Sequence, residues 1–125
     1  MPKNLIFVIH EHHARRLHWD LRLEMNGALK SWAVPKQPPL KKGLKRLAIQ
    51  VDDHAKSYAS FEGVIEAGYG KGTVKIWDKG ALKIIDKKPH KIVFSLSGKK
   101  MKGEYVLLKF KTKDNKKNNW LFFKK

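Results

Sequence analysis

The chain contains no cysteine, which removes both a disulfide framework and thiolate metal sites and fits a reducing compartment. Acidic residues are scarce too: 11 Asp and Glu stand against 28 Lys and Arg, leaving a net charge of +17. No run reaches the ~18 consecutive apolar residues of a membrane span. The opening segment Met1–Ile9 has too short an apolar core for a secretory signal and lacks a small-residue cleavage site. A basic amphipathic helix, which would suit an anionic membrane surface, is missing as well. The expectation is a cytoplasmic, monomeric protein with no membrane partner.

What remains is a compact, basic chain. Its 125 residues suit one domain, 1–125, with a core of its own. An excess of 17 positive charges in so small a domain points to a polyanion, because each neutralised phosphate releases a condensed counterion. The plain alternative is a solvated lysine-rich surface.

Hydrophobic alternation predicts strands at Leu5–Ile9, Leu17–Glu24, Ala28–Val34, Arg46–Val51, Gly72–Asp78, Leu82–Asp86, Lys91–Ser97, Gly103–Lys111 and Asn119–Lys124. Met25-Asn26-Gly27 and Asp78-Lys79-Gly80 carry hairpin signals, and Lys113–Lys117 is expected to be another hairpin tip. Pro35, Pro38 and Pro39 close the third strand and open a loop to Gly43. Asp53 to Tyr58 suggests one helical turn capped by Asp52 or Asp53. Residues 62–72 read as a glycine-punctuated loop, in which Gly68, Gly70 and Gly72 supply turn chemistry rather than a phosphate loop. Many short strands favour a mainly β fold: a small closed β-barrel of about eight strands with one or two short flanking helices.

Four of the six histidines lie between His10 and His18. From Leu17 to Glu24 the residues alternate, with Leu17, Trp19, Leu21 and Leu23 on one side of a strand and His18, Asp20, Arg22 and Glu24 on the other. The first set suits a core; the second is expected on a solvent-accessible face. His18 and Asp20 would stand about 6.6 Å apart along the strand, and His12 would fold back from the preceding segment to complete a ligand trio. Two imidazoles and a carboxylate suit Mn²⁺ or Fe²⁺, with Zn²⁺ at lower coordination. Iron oxygenases usually place the lone histidine far downstream of the His-x-Asp pair, which counts against that chemistry.

Arg22 reads equally as an exposed salt bridge to Asp20 or Glu24 and as a bidentate clamp on a phosphate. His54 and Tyr58 would share a helical face, suited to a phosphoester site or to plain capping and packing. Lys36, Lys41, Lys42 and Lys45 flank the proline loop and are candidates for tracking a nucleic-acid backbone.

Several stretches together resemble the 3′-phosphoesterase domain of bacterial and archaeal DNA ligase D. They are His12–Glu24, Leu29–Lys36, Lys45–Ala48, Asp53-His54, Tyr58, Phe61-Glu62-Gly63, Tyr69–Val74, Trp77–Gly80 and Asn119–Leu121 with Lys124. They run through nearly the whole chain in order. The resemblance implies a small β-barrel and a Mn²⁺-dependent hydrolase, with Co²⁺ or Zn²⁺ as other candidate metals, that heals DNA 3′ ends during non-homologous end joining. A phosphodiesterase step would remove a 3′-terminal ribonucleoside from a primer–template, and a phosphomonoesterase step would then strip the 3′-phosphate. By position His12, His18 and Asp20 match the family's metal ligands. Arg22, His54 and Tyr58 match its phosphate and catalytic residues, and Lys36 and Arg46 match further basic residues near the site. The expected partners are DNA or RNA-tipped 3′ ends and a separately encoded ligase or polymerase, since the chain resembles a stand-alone form. Departures are His10 and His13, Trp19 where tyrosine is frequent, and a start eleven residues before His12, ahead of which ligase D carries further helper residues. Two other readings compete: a non-catalytic basic nucleic-acid-binding barrel, and a different metal-dependent phosphodiesterase or ribonuclease.

Overall fold

A computed structural model describes residues 4–66, 71–111 and 118–125. Nine strands follow in order: β1 (Leu5–His13), β2 (Leu17–Met25), β3 (Ala28–Val34), β4 (Lys45–Ala55), β5 (Gly63–Ile65), β6 (Gly72–Lys88), β7 (Lys91–Ser97), β8 (Lys102–Lys109) and β9 (Asn119–Lys124). A 3₁₀ turn, Lys56–Ser60, follows β4 and is the only helical element among the described residues. The sheet runs β1-β2-β3-β4-β9-β8-β7-β6, all pairings antiparallel, and β1 pairing with β6 closes the eight-stranded barrel that the strand pattern predicts. The short β5 lies outside the ring, on the free edge of β6's first residues.

Alternation fills the barrel. Phe7 and Ile9 of β1 oppose Leu23 and Leu21 of β2. They pack in one core with Trp32, Phe94, Tyr105, Leu107 and Phe122. The predicted Asn26-Gly27 hairpin forms, with both residues at positive φ (53° and 81°), as a tight two-residue hairpin turn requires.

Three local expectations are corrected. Asp78-Lys79-Gly80 is no hairpin: β6 runs straight through it as one 17-residue strand. Asp78 is instead buried, its carboxylate accepting backbone N–H bonds from Lys99 (2.9 Å), Lys100 (3.0 Å) and Met101 (2.7 Å) and so holding the β7–β8 turn. Gly80 is needed because a Cβ there would collide with the Ser97 carbonyl. Second, β4 continues to Ala55, so Asp53 and His54 are strand residues; the 3₁₀ turn begins at Lys56 without a side-chain cap from Asp52 or Asp53. Third, residues 63–65 form β5 rather than loop. Gly68, Gly70 and the Lys113–Lys117 hairpin tip fall outside the described residues.

Two register shifts shape the outer wall. In β1–β6, Ile9 opposes Asp78 while His10 opposes Ile76, leaving Trp77 as an extra residue beside His10. In β3–β4, Ser31 opposes Val51 while Leu29 opposes His54. Without the second shift Asp53 would face Leu29, so the bulge selects His54 for the outer face.

Asp78→Ala should lose three charge-assisted hydrogen bonds to buried or partly buried amides and destabilise the barrel by about 3 kcal/mol in urea unfolding. A loss below about 1 kcal/mol would show that the turn holds itself.

Candidate metal and phosphate site on the barrel wall

Cross-strand register assembles the site on the outside of β1, β2 and β3. His12 faces His18, His10 faces Asp20, and Arg22 lies between Val8 and Ser31. His12 therefore reaches the trio as a ladder partner; it does not fold back from a preceding segment, because β1 extends through His13. The predicted face is also not open to solvent. Asp20, Arg22 and Glu24 are only 6%, 4% and 4% exposed, since the 3₁₀ turn and the Phe61–Glu62 segment lie against it. Leu17, placed in the core by alternation, is exposed at the strand's start.

Asp20 is the hub. Its Oδ1 lies 3.3 Å from His18 Nε2, and its Oδ2 lies 3.5 Å from His12 Nδ1 and 3.4 Å from Arg22 Nη2. One donor atom from each of His12, His18 and Asp20 falls within 4.8 Å of the others. The His18 ring is held in one tautomer: its Nδ1–H donates to the Arg16 carbonyl (3.2 Å), so the Nε2 lone pair faces the carboxylate. A lone pair against an anion demands a cation between them, either a proton or a metal ion. The N, N, O donor set, with one imidazole oriented by a backbone carbonyl, suits a divalent metal.

Arg22 is clamped from three sides. Its Nε–H donates to His10 Nδ1 (3.1 Å), its Nη1–H to Ser31 Oγ (2.8 Å), and its Nη2 faces Asp20. Ser31 Oγ–H in turn donates to the Leu29 carbonyl (3.1 Å). His10 must be neutral to accept from Arg22, and its Nε2–H donates to the Phe61 carbonyl (3.1 Å). The Tyr58 ring centroid lies 4.9 Å from the guanidinium carbon, and the ring stacks with His54 (4.6 Å) and Phe61 (5.0 Å). His54 and Tyr58 meet through this stacking, one from strand and one from the 3₁₀ turn, rather than on a helical face. Glu24 has a structural part, accepting from the Ile6 amide (3.0 Å) and pairing with Lys56 (3.2 Å) of the turn.

Lys36 and Arg46 join neither cluster by a hydrogen bond, ion pair or ring contact among the described residues. Lys36 is exposed just beyond β3. Arg46 sits opposite the core residue Phe122, on the inner side of the sheet, and donates to the Gln37 carbonyl (2.8 Å). His10 and Ser31 were not assigned roles from sequence, although His10 shares His12's strand face at a spacing of two, which is the signal that places it here.

Protonation differs sharply between neighbours. Burial and the Arg22 charge hold His10 down at about 4. The hydrogen bond to Asp20 raises His18 above its ordinary 6.5. For Asp20 burial pushes upward, but the His18 hydrogen bond and the Arg22 and histidine charges outweigh it and leave the carboxyl below 3.8. Burial and Arg22 lower His54, and burial raises Tyr58.

Residues 10–109 match the family described as the DNA Ligase D 3′-phosphoesterase domain, and the chain belongs to that family. It is 44% identical to the multifunctional non-homologous end joining protein LigD of Pseudomonas aeruginosa, over 96% of this chain and 15% of that protein. Against the LigD of Mycobacterium bovis the identity is 48% over 82% of this chain and 14% of that protein. For Mycolicibacterium smegmatis LigD it is 43%, over 92% and 16%. The chain thus spans about 15% of the length of these curated relatives.

Because the folded His10 titrates at about 4 against 6.5 when unfolded, its contribution to stability is present above 6.5 and is lost as pH falls toward 4. That displacement corresponds to about 3 kcal/mol. In metal-free protein, His10→Gln should flatten the pH 6.5-to-4 limb of the stability profile relative to wild type. Parallel limbs in urea unfolding would mean that His10 charges without penalty.

Proposed function

We propose that this chain is a metal-dependent 3′-phosphoesterase that heals DNA 3′ ends in non-homologous end joining. The observation that carries the reading is the sharing of one buried carboxylate by two imidazoles and a clamped guanidinium. Family membership supports the reaction class, and the relatives' names supply the end-joining context. His12, His18 and Asp20 would hold the metal, with Mn²⁺ the first candidate and Co²⁺ or Zn²⁺ the next. When bound, such an ion supplies Lewis acidity to a phosphate oxygen.

The chain's own residues do the rest. Arg22, unable to swing away because His10, Ser31 and Asp20 fix all three nitrogens, offsets charge growing on the non-bridging oxygens. His54 enters the reaction uncharged, so it donates an N–H bond to the phosphate or takes a proton from the attacking water. Tyr58 positions both of them by its ring and offers a hydroxyl that burial keeps protonated. Lys36 and Arg46, which make no hydrogen bond or ion pair with the trio, contribute charge to substrate binding. The substrate would be a primer–template with a ribonucleotide or phosphate at its 3′ end, and the products a 3′-phosphate and then a 3′-OH. A ligase or polymerase acting on that 3′-OH is the expected partner.

The test is incubation of the protein with a recessed primer–template ending in one ribonucleotide, with Mn²⁺, Co²⁺, Zn²⁺ or EDTA, and product analysis on a gel. Wild type should yield both products with metal and none in EDTA. Asp20→Asn and His18→Ala should abolish turnover, and Arg22→Ala should cut it about 10²–10³-fold. Binding without cleavage under every metal would favour a non-catalytic nucleic-acid barrel, and activity unchanged in His18→Ala would remove the trio.

A further inference from the structure

A second group of cations meets inside the barrel's other rim. The start of β3 and the ends of β6 and β8 bring Lys30, Lys87, Lys88 and Lys109 around a cavity of about 290 Å³ whose wall includes Trp32 and Trp120. No carboxylate lines it among the described residues. Lys88 pairs at 3.7 Å with Asp86 on the surface, whereas Lys30, Lys87 and Lys109 have no carboxylate partner among the described residues. Trp120 gives its Nε1–H to Gln50 Oε1 (3.1 Å), which holds the two indoles edge to face at 5.7 Å. Trp32 is fully buried behind this wall.

Lys30, Lys87 and Lys109 give the cavity a cationic rim that no described carboxylate neutralises. An anion with several acceptor oxygens would supply that counter-charge. The position narrows the source. Lys30 follows Leu29, the cross-strand partner of His54, and lies three residues along β3 from Ala33, which opposes Asp20. At ~3.3 Å per residue that is about 10 Å. Lys30 is on the inner face, opposite the core residue Leu23. A strand whose end lies at Asp20 would therefore follow the outer wall past His54 and turn over the rim to bring a further phosphate here.

We propose that the cavity ringed by Lys30, Lys87, Lys88 and Lys109 is a second phosphate-binding site, which holds a backbone phosphate of the nucleic-acid strand whose 3′ end is at Asp20. The phosphate chemistry stands on the cavity alone; the nucleic-acid source rests on the function proposed above.

The full chain, wild type and Asp20→Asn, would be titrated with inorganic pyrophosphate and with a short single-stranded DNA ending in 3′-OH, while the Trp32 indole N–H resonance is followed by NMR. Both probes should shift that resonance saturably, DNA at the lower concentration, and pyrophosphate equally in Asp20→Asn. Asp20→Asn makes the reading independent of turnover, so loss of activity and loss of this site are told apart. Lys30→Gln with Lys109→Gln should weaken binding about tenfold. Lys99→Gln with Lys102→Gln, an equal charge loss at the other rim, should leave it within about twofold. An unmoved Trp32 resonance, or equal weakening by both double variants, would overturn the site. Binding of pyrophosphate but not of DNA would overturn its assignment to a nucleic-acid strand.

Discussion

One buried carboxylate organises this molecule's outer wall. An ionised Asp20 at 6% exposure would be costly alone, and its burial is sustained by His12, His18 and Arg22 within 3.5 Å. Arg22 in turn is a buried cation that needs partners on every nitrogen, which brings in His10 and Ser31. His10 needs an acceptor for its remaining N–H and finds the Phe61 carbonyl, which ties the covering segment to β1. Each obligation recruits the next. The result is a polar layer outside the barrel, as closely held as the apolar core inside it.

The same chain of obligations gives two histidines on one strand-pair face opposite protonation. His10 accepts from a cation and stays neutral; His18 faces an anion and gains a proton or a metal. The His18–Asp20 contribution of the metal-free protein is full below 6.5 and fades as pH rises through the raised value, so a metal would take over where the proton leaves. Neither state follows from residue type. Both follow from which partner the ladder register puts opposite.

Much of this was legible in the residues. Alternation from Leu17 to Glu24 gave β2 and separated the inner from the outer set, and β3, β7 and β9 begin and end where pattern and turn residues place them. The trio was legible because a His-x-Asp spacing on a strand puts both ligands on one face. Bulges were not legible, since an extra residue leaves no mark in local propensity. They decide that His54 rather than Asp53 faces outward. Asp78-Lys79-Gly80 misleads for a related reason. Its aspartate and glycine serve a close crossing with the β7–β8 turn, whose amides lie 21, 22 and 23 residues beyond Asp78, rather than a turn of their own. Burial of the polar face was also invisible, because it depends on where the segment after β4 returns.

Anomalous diffraction at the manganese edge, from crystals grown with Mn²⁺ and phosphate, examines the hub most directly. A single strong peak bonded to His12, His18 and Asp20, with the phosphate spanning from it to the Arg22 guanidinium, is the result this arrangement predicts. A peak elsewhere, or a phosphate that contacts the metal but leaves Arg22 bound only to Asp20, His10 and Ser31, would contradict it.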